Sequence, residues 1–517
     1  MKKIFYSFAI AASAMLVGCD SLDLAPIDYA AAGNYWKNEA QVKTFANGLS
    51  TNLRADFNNF SHVVLGETRG GTFRDGSSST GVSLNYAIMV TNSLTKDKTG
   101  VSNWNGYYSR ILQVNHMIDK VENGCEFLSE EQRGSYLGLA YAHRAYYYFM
   151  LYRTYGGVPL ELTPKVAEGV TDINALYMAR STPEETLAQI KDDINKSESY
   201  YAKSNDSFKC TNWNKYATAC LKAEIYLWSA KVTTGNHTAT GASDIAVAKA
   251  ALQTVVSSGK FSLMKNYADI FDYNHKKNSE AIFELPFNKD ELSMSNANFF
   301  VPQAALLYGS YYYEDGSPVQ NDDLGLCGGG YGRIEFREDF VKSMDKTDAR
   351  RSDMFVEYYS GPVASEAEFG CAMMKFMGHI ENGTRYYDGD MFVYRYADVL
   401  LMLAECENYG GGDVAQYINM IRERAYGENF DETVAYKNGD FAANELAILQ
   451  ERTKEFFGEG KRWFDLVRLQ DASHKSLAYS AAASYNGTPI ITNQPILWPI
   501  DTGVLSGDKL IEQTPGY

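Results

Sequence analysis

Two carboxylates near the C-terminus, those of Glu459 and Asp465, have the residue types of a catalytic pair, because two opposed carboxylates can hydrolyse a glycosidic bond. Both lie in the segment at 456–468 (FFGEGKRWFDLVR), whose pattern predicts a helix. Residues six apart do not share a helix face, so the pair is poorly placed for catalysis. Since an unpaired buried charge is costly, we predict instead a partly buried ion network of these carboxylates with Arg462 and Arg468.

No other sequence pattern supports catalysis or metal binding. The seven histidines show neither H-x-H nor H-x-x-x-H spacing, and the chain has neither a G-x-S-x-G nucleophile elbow nor a P-loop. The segment Gly328–Gly332 lacks the strand–helix context of a dinucleotide site and is interpreted as a flexible turn. Glu314, Asp315, Asp322 and Asp323 offer oxygen ligands to Ca2+ without EF-hand spacing, so a solvated acidic loop is favoured. We predict no enzymatic activity, no cofactor and no metal, with Ca2+ left open.

The sequence is richer in residues suited to binding. Aromatic residues make up 14% of the chain, with 38 tyrosines, and a tyrosine ring offers a flat apolar face and a hydroxyl. Two segments combine rings with charged side chains: a Gly- and Ser-rich loop at 66–79, which we predict cannot pack as a core, and a tyrosine run at 308–315. The candidate binding residues are Glu67, Arg69, Phe73, Arg74, Asp75, Trp104, Tyr308, Tyr311, Tyr312 and Tyr313. Internal packing is the alternative for the tyrosine run and for Trp104.

The N-terminus has the pattern of an export signal. Two lysines precede a mostly apolar segment at 4–17, which is too short to span a bilayer comfortably. Residues 16–19 (LVGC) resemble a bacterial lipobox, which predicts a signal peptide at 1–18 and a diacylglyceryl anchor on Cys19. An ordinary secretory signal is the alternative. The lipobox interpretation places the rest of the chain outside the cytoplasm, tethered to a membrane.

Composition excludes several kinds of partner. A net charge of -16 and a pI near 5 argue against nucleic acid and against binding anionic lipid by charge. After the signal, no apolar run approaches the roughly 20 residues of a membrane helix. In so long a chain, six scattered cysteines are expected to be buried free thiols, with a Cys210–Cys220 bridge left open. These cysteines are Cys125, Cys210, Cys220, Cys327, Cys371 and Cys406.

Hydrophobic periodicity predicts a mainly α-helical chain with short strand pairs. Ser129 with Gln132, and Thr182 with Glu185, are predicted capping boxes at the start of two helices. Other helices are predicted at about 39–57, 104–121, 212–231, 243–257, 394–409, 413–424 and 444–469, and a strand at 279–287. The stretch 288–335 shows no helical period and is expected to be irregular and functional.

Several motifs, taken in order along the whole chain, resemble the SusD/RagB family of outer-membrane nutrient-binding lipoproteins. They are W-x-x-x-Y-x-x-I-x-x-x-N at 104–115, RAYYYFMLYRTYGGVPL at 144–160, SGKFSLMKNYADIF at 258–271, DAR at 348–350, YRYADVLL at 394–401, FFGEGKRWFDLVR at 456–468, LWPI at 497–500 and the terminal TPGY. Each motif is weak alone, but their order and spacing together are specific.

The resemblance implies a mainly α fold of tetratricopeptide-like helical hairpins, with an irregular ligand-binding half and a few short β-hairpins. It implies a lipidated tether at 19–35, a helical N-terminal part at 36–270 and a C-terminal SusD/RagB part at 271–517 that carries the ligand loops. It also implies a partner, a SusC-type TonB-dependent barrel in the outer membrane. The protein is then expected to sit on this barrel as a lid at the cell exterior and to perform no chemistry on its ligand.

The resemblance points to two classes of ligand. The best-known ligands of the family are oligosaccharides, whereas the RagB branch is tied to peptides. A sugar packs its C–H face on an aromatic ring and offers its hydroxyls to Asp, Asn, Arg or Glu, so the two loops are predicted to form a glycan site. Glycan binding is therefore the favoured hypothesis, with peptide capture as the alternative and a surface glycosidase as a third, disfavoured one.

Overall fold

The structure is a computed structural model that describes residues 35–74, 87–101, 103–166, 169–205, 207–320 and 322–517. The predicted signal peptide, the predicted lipidation site Cys19 and the loop residue Asp75 lie outside the described residues. None of the helices in these ranges is both long and apolar enough to cross a membrane.

Most of the described elements are α-helices, which confirms the predicted fold class. In chain order they are α1 (Glu39–Asn58), α2 (Ser61–Gly66), α3 (Ala87–Val90), α4 (Asn105–Asn123), α5 (Glu130–Tyr155), α6 (Pro183–Tyr201), α7 (Lys215–Lys231), α8 (Ala242–Ser257), α9 (Ala304–Leu307), α10 (Glu338–Lys342), α11 (Ala349–Ser352), α12 (Tyr396–Gly410), α13 (Ala415–Tyr426), α14 (Phe441–Phe456), α15 (Arg462–Arg468) and α16 (Thr502–Gly507). The helices predicted before residue 260 differ from the observed ones by only a few residues at their ends.

The two predicted capping boxes begin α5 and α6. The Ser129 side chain accepts the N–H of Gln132, whose own side chain accepts the N–H of Ser129. Thr182 and Glu185 make the same reciprocal pair at the start of α6. These bonds satisfy backbone donors that have no partner within a helix, so both helices begin where the sequence predicts.

Consecutive helices pack against one another along the chain. α4 packs on α5, α5 on α6, α6 on α7 and α7 on α8. α8 packs in turn on α12, which also contacts α13 and α14, so the series of helices continues into the C-terminal half. Stacked helix pairs of this kind are the arrangement of tetratricopeptide-like hairpins. One hydrophobic core cluster extends from Leu53 to Ile511 and includes residues of both halves.

Six short strands form three antiparallel pairs. The pairs are β1 (Ala281–Leu285) with β6 (Met391–Arg395), β2 (Phe355–Tyr359) with β3 (Phe369–Met373), and β4 (His379–Glu381) with β5 (Thr384–Tyr386). The strand predicted at 279–287 is confirmed as β1. Because β6 runs directly into α12, Arg395 ends the strand and stands at the start of the helix. In the described part of the stretch 288–335, the helical segments are short turns at Ser295–Phe300 and Ala304–Leu307, in agreement with its missing helical period.

The cysteines of the described residues are free thiols. Five are buried and Cys327 is half-buried, so the expectation of buried thiols is met by five of the six. Cys210 and Cys220 do not form a bridge.

The single helix predicted at 444–469 is wrong, because the chain forms two helices, α14 and α15, joined by a bend at 457–461. Gly458 and Gly460 have positive φ angles of 77° and 73°, which interrupt the helix. Gly66 approaches the bend so closely that an added Cβ would lie 1.8 Å from the Gly460 carbonyl oxygen. The hydrophobic period of the local sequence cannot reveal this bend, because the bend is needed for a close approach of Gly66, which is distant in sequence.

The prediction that the loop at 66–79 cannot pack as a core is also wrong for its described part. Thr68 to Gly70 form one turn of 3-10 helix and are buried, and Thr72 and Phe73 are buried beyond them. Polar side chains such as Glu67 and Arg69 are accommodated inside because they hydrogen-bond to other segments.

A network of buried charges joins the strands to the last helices. Arg395 Nη1 lies 2.6 Å from a Glu455 carboxylate oxygen and 3.2 Å from one of Glu280, and Nη2 lies 2.9 Å from Glu459. These side chains are at most 1% exposed. Lys375 adds a second cation 3.1 Å from Glu459. Buried charges of this density are tolerated because each has oppositely charged partners.

Removing the central cation should destabilise the protein strongly. Arg395→Met would leave buried carboxylates short of a partner, so we expect the free energy of unfolding to fall by about 3–5 kcal/mol. The control Lys196→Met breaks an exposed pair with Asp192 at 2.8 Å and should cost less than about 1 kcal/mol. Urea unfolding of the protein truncated after Cys19 measures the stability of both variants. Equal losses would contradict the assignment of Arg395 to a buried charge network.

Acid should weaken the fold through two buried carboxyls of α14, that of Glu455 beside Arg395 and that of Glu451, which lies 2.5 Å from Arg350. Burial alone would raise their pKa, but neighbouring arginines outweigh it and lower the pKa of Glu451 and of Glu455 to about 2, from an ordinary value of 4.5. Because these pKa values are depressed in the folded state, the stabilising contribution is complete above about pH 4.5 and is lost as the pH falls towards 2. Urea unfolding at roughly pH 6, 4 and 3 should show falling stability, and a flat profile would refute this origin.

Candidate ligand-binding site

An open groove of about 550 Å³ lies beside the tyrosine run. Its lining combines aromatic rings with cations and carboxylates, and the lining residues are Tyr313, Glu314, Asp315, Lys346, Arg351, Ser352, Phe355 and Glu357. They come from the turn after the tyrosine run, from α11 and the loop before it, and from β2. Two stretches of the irregular half, 313–315 and 346–357, therefore build one surface.

The tyrosine run enters a tight turn that is fixed to β2. The Tyr313 N–H donates to the Ser317 carbonyl at 2.7 Å, and the Gly316 N–H donates to the Tyr313 carbonyl at 3.0 Å. Gly316 has a φ of 81°, which favours glycine at this position. Tyr312 and Tyr359 exchange N–H···O bonds of 2.9 Å and 2.8 Å, so the turn is attached to β2, the strand that also lines the groove.

The predicted tyrosines differ in exposure. Tyr311 is 6% exposed, and its ring packs edge-on against Tyr358 at 5.5 Å between centroids. Tyr312 is half-buried, and its backbone holds the turn. Tyr313 is half-buried and lines the groove. The structure therefore places one of these three consecutive tyrosines in the groove.

Two acids near the tyrosine run are occupied by tyrosine hydroxyls. Tyr308 donates to Asp322 at 2.5 Å, and Tyr313 donates to Asp323 at 3.2 Å. Burial, together with these carboxylates, raises the pKa of Tyr308 and raises that of Tyr313 to about 12. Both hydroxyls therefore remain protonated donors at neutral pH.

The charges in the groove are arranged as ion pairs. Lys346 Nζ lies 2.6 Å from Glu314, and Arg351 Nε lies 2.6 Å from Glu357. The hydrogen bond from Lys346 lowers the pKa of Glu314, and the bonds from the Ser317 side chain and backbone lower the pKa of Asp315. Both acids are consequently ionised at neutral pH and can accept hydrogen bonds from a ligand.

Glu67, a candidate from the first loop, is placed inside the protein. It is 1% exposed and accepts the N–H groups of Gly458 and Gly460 at 3.0 Å each. Burial raises the pKa of Glu67 to about 7, although the two N–H donors act in the opposite direction. In this structure the side chain fixes the bend between α14 and α15.

Arg69 is fully buried as well. Its guanidinium donates to the carbonyl oxygens of Pro495 at 2.9 Å and Ile496 at 2.7 Å. The same group lies 4.1 Å from the ring centroid of Trp463 and 5.3 Å from that of Trp498. Arg69 thus attaches the first loop to the C-terminal tail and to α15.

The candidate aromatic residues outside the tyrosine run are also internal. Phe73 is 1% exposed and packs on Phe336 at 4.9 Å between centroids. Trp104 is 6% exposed and packs on Tyr155 at 5.3 Å at the start of α4. This is the internal packing that we kept as the alternative for Trp104.

Arg74 is half-buried and forms ion pairs with Glu335 at 2.9 Å and Glu368 at 3.1 Å. Asp75 lies outside the described residues. The structure therefore does not bring the described residues of the first loop into the groove at Tyr313, and ligand contact by them stays a prediction.

Sequence reasoning did not select Tyr331 or the cations of the groove. Tyr331 is 52% exposed, and the Arg333 guanidinium lies 5.8 Å from its ring centroid. The preceding residue, Gly330, is closely packed, because a Cβ on it would lie 1.8 Å from the Pro302 carbonyl oxygen. A lone tyrosine among glycines was the available signal. For Lys346 and Arg351 no local signal existed, because only the tertiary fold brings them beside Tyr313.

The pair of carboxylates considered for catalysis serves two separate ion networks. Glu459 is paired with Arg395 and Lys375, whereas Asp465 lies 2.9 Å from both Arg452 and Arg468. The predicted ion network is confirmed for Asp465 with Arg468 alone, because Glu459 pairs with cations outside the predicted group. Arg462 differs from the prediction, since its guanidinium donates to the carbonyl oxygens of Gly70 and Ala483.

One group of three side chains in the described ranges could hold a metal ion. Asp269, Asp272 and His275 offer ligand atoms within 4.8 Å of one another and are half-buried or exposed. His275 Nδ1 already lies 3.2 Å from Asp272, so the group is satisfied without an ion. Ca2+ binding by the acids near Tyr313 stays a prediction.

The fold and the aromatic, charged groove define a helical binding protein, and comparison with known proteins gives its family. A family model described as the SusD family matches residues 342–517, and one described as "Starch-binding associating with outer membrane" matches residues 37–227. A solved SusD superfamily protein from Bacteroides fragilis NCTC 9343 is 36% identical, with 93% of this chain and 100% of that chain covered and a TM-score of 0.85. The chain belongs to the SusD superfamily.

Two further relatives are similar over most of the chain. The structure of B. fragilis NanU is 34% identical, with 96% of this chain and 100% of that chain covered and a TM-score of 0.79. SusD-like protein P25 of Formosa agariphila is 26% identical over 411 residues, which are 75% of this chain and 73% of the relative. The similarity to all three relatives therefore extends well beyond either matched family segment.

The different exposures of Tyr311 and Tyr313 can be tested by stability. Tyr311→Ala removes a buried ring, so we expect a loss of about 3–5 kcal/mol in the free energy of unfolding. Tyr313→Ala removes a half-buried ring and should cost less than about 1.5 kcal/mol. Urea unfolding of both variants measures the difference, and a larger loss for Tyr313→Ala would contradict the placement of the two rings.

Proposed function

We propose that this protein is a lipid-anchored glycan-binding protein of the outer membrane that passes oligosaccharides to a SusC-type TonB-dependent transporter. Membership of the SusD superfamily supports this proposal, as does the family description that names starch binding and association with the outer membrane. The groove at Tyr313 is the observation that carries the binding part of the proposal.

The groove has the size and chemistry that an oligosaccharide needs. Its volume of about 550 Å³ falls within the roughly 300–1,000 Å³ typical of small-molecule sites. Tyr313 offers a ring on which the C–H face of a sugar can pack. Glu314, Asp315 and Ser352 offer hydrogen-bonding groups for sugar hydroxyls in the same groove.

The location and the partner are parts of the same proposal. The lipobox-like segment ending at Cys19 supports a lipid anchor, and anchoring by lipid fits the finding that no described helix is suited to crossing a membrane. The family resemblance supports the transporter as the acceptor of the ligand. Binding is proposed to occur without chemistry, because Glu459 and Asp465 are engaged in separate buried ion networks.

The experiment that tests the proposal is calorimetry on the soluble protein truncated after Cys19. A panel of plant, host and microbial glycans is titrated alongside a peptide pool, and chromatography of the glycans checks that they remain intact. A saturable glycan signal with intact glycans supports the proposal. Binding of peptides alone would replace it with peptide capture, and release of smaller sugars would replace it with hydrolysis.

The ring of Tyr313 should dominate recognition in the groove. We expect Tyr313→Ala to weaken the best glycan by about tenfold, equivalent to about 1.4 kcal/mol of lost ring contact. Phe127→Ala is the matched control, because Phe127 is 43% exposed and lies in the N-terminal half. Tyr331→Ala tests the exposed ring of Tyr331 as an alternative site in the irregular half. If only Tyr331→Ala weakened binding, the site would have to be moved from the groove to that ring.

A further inference from the structure

The charges of the groove are unbalanced towards the negative. Two cations, Lys346 and Arg351, line it together with three carboxylates, those of Glu314, Asp315 and Glu357. Each cation already has a carboxylate partner at 2.6 Å within the groove. Arg351 additionally donates to the Met344 carbonyl oxygen at 2.8 Å. The charge of each cation is therefore already offset in part by a neighbouring carboxylate before a ligand binds.

The carboxylate in excess is that of Asp315. It accepts only neutral donors in its immediate surroundings, the backbone N–H of Ser317 at 2.9 Å and the Ser317 hydroxyl at 2.6 Å. A further carboxylate, that of Asp323, accepts the hydroxyl of Tyr313 on the side of the turn. The field at the ring that a sugar would pack on is consequently negative.

We propose that the ligand of this groove is an uncharged glycan, and that the groove discriminates against uronate-containing and sulfated glycans. This inference rests on the proposed function and adds the charge class of the ligand. An anionic sugar would bring a further negative charge beside Asp315 and Glu314. Any cation that it approached would already be offset in part by Glu314 or Glu357, so the attraction would not balance the repulsion from the carboxylate in excess.

The discrimination is electrostatic at a solvent-exposed surface, so it must depend on salt. Lys346 is 65% exposed and Glu314 is 53% exposed. Charges at such sites interact over a Debye length of about 30 Å at roughly 0.01 M salt and of only about 3 Å at roughly 1 M salt. The preference for uncharged ligands should accordingly be large at low salt and small at high salt.

The test uses the best uncharged oligosaccharide of the glycan panel in three forms. These are the parent sugar, the same sugar oxidised at C6 to the uronate, and the methyl ester of that uronate, which restores neutrality with nearly the same shape. At about 0.01 M salt we expect the uronate to bind at least tenfold more weakly than the ester, and the ratio to approach one at about 1 M salt.

Each outcome of this titration decides the inference. A uronate that binds as tightly as its ester at low salt would overturn it while leaving glycan binding intact. An ester that binds as weakly as the uronate would also overturn it, because shape and not charge would then discriminate. If only anionic glycans of the panel bind to the protein, the inference fails and the proposed function stands. If no glycan binds at all, the proposed function itself fails.

A substitution in the groove tests whether the groove itself sets the preference for uncharged ligands. Glu314→Gln removes one negative charge and leaves Lys346 without its partner, so the ratio of ester to uronate affinity at low salt should fall at least threefold. Glu198→Gln is the matched control, because Glu198 is an exposed glutamate 2.6 Å from Lys222 in the N-terminal half. That control should leave the ratio unchanged. An unchanged ratio in Glu314→Gln would show that the groove does not set the charge preference.

Discussion

The buried guanidinium of Arg395 is the interaction on which the C-terminal half depends. It stands where β6 becomes α12, and its three carboxylate partners come from the residue before β1, from α14 and from the bend after α14. Arg395 therefore links the strand pair to the last helices, and Arg424 repeats the link through Glu280 and Glu455. Because each partner carboxylate is buried, moving it away from Arg395 would remove one of the cations that offset its charge in the interior.

The elements that could be predicted from the sequence are those fixed by local interactions. The starts of α5 and α6 follow from capping boxes within four residues, and the helical faces follow from a period that needs no knowledge of the rest of the chain. The bend at 457–461 and the burial of the first loop could not be predicted. Both depend on Glu67 bonding to backbone groups 391 and 393 residues away, and a local pattern contains no trace of such a contact.

The candidate site could be predicted only in part for the same reason. The groove lies beside the predicted tyrosine run, but the run does not show which of its rings lines the groove. The tight turn that begins at Tyr313 interrupts the alternation of an extended segment, so Tyr311 is buried while Tyr313 lines the groove. A run of identical residues contains no pattern that shows where this interruption falls. Lys346 and Arg351 could not be predicted as groove residues, because the backbone bonds between Tyr312 and Tyr359 bring the turn beside α11 and β2.

The two populations of charge in this half have different consequences. The internal pairs of Arg395 are at most 1% exposed, so they contribute to which fold is adopted and can tie irregular segments together where no sheet or helix does so. In the groove the Lys346–Glu314 pair is exposed, and such a pair contributes little to stability. The arrangement of this pair is therefore free to be set by the ligand. The groove segments themselves are held by other contacts: backbone bonds join Tyr312 to Tyr359, and Arg350 in α11 forms buried pairs with Asp348 and Glu451.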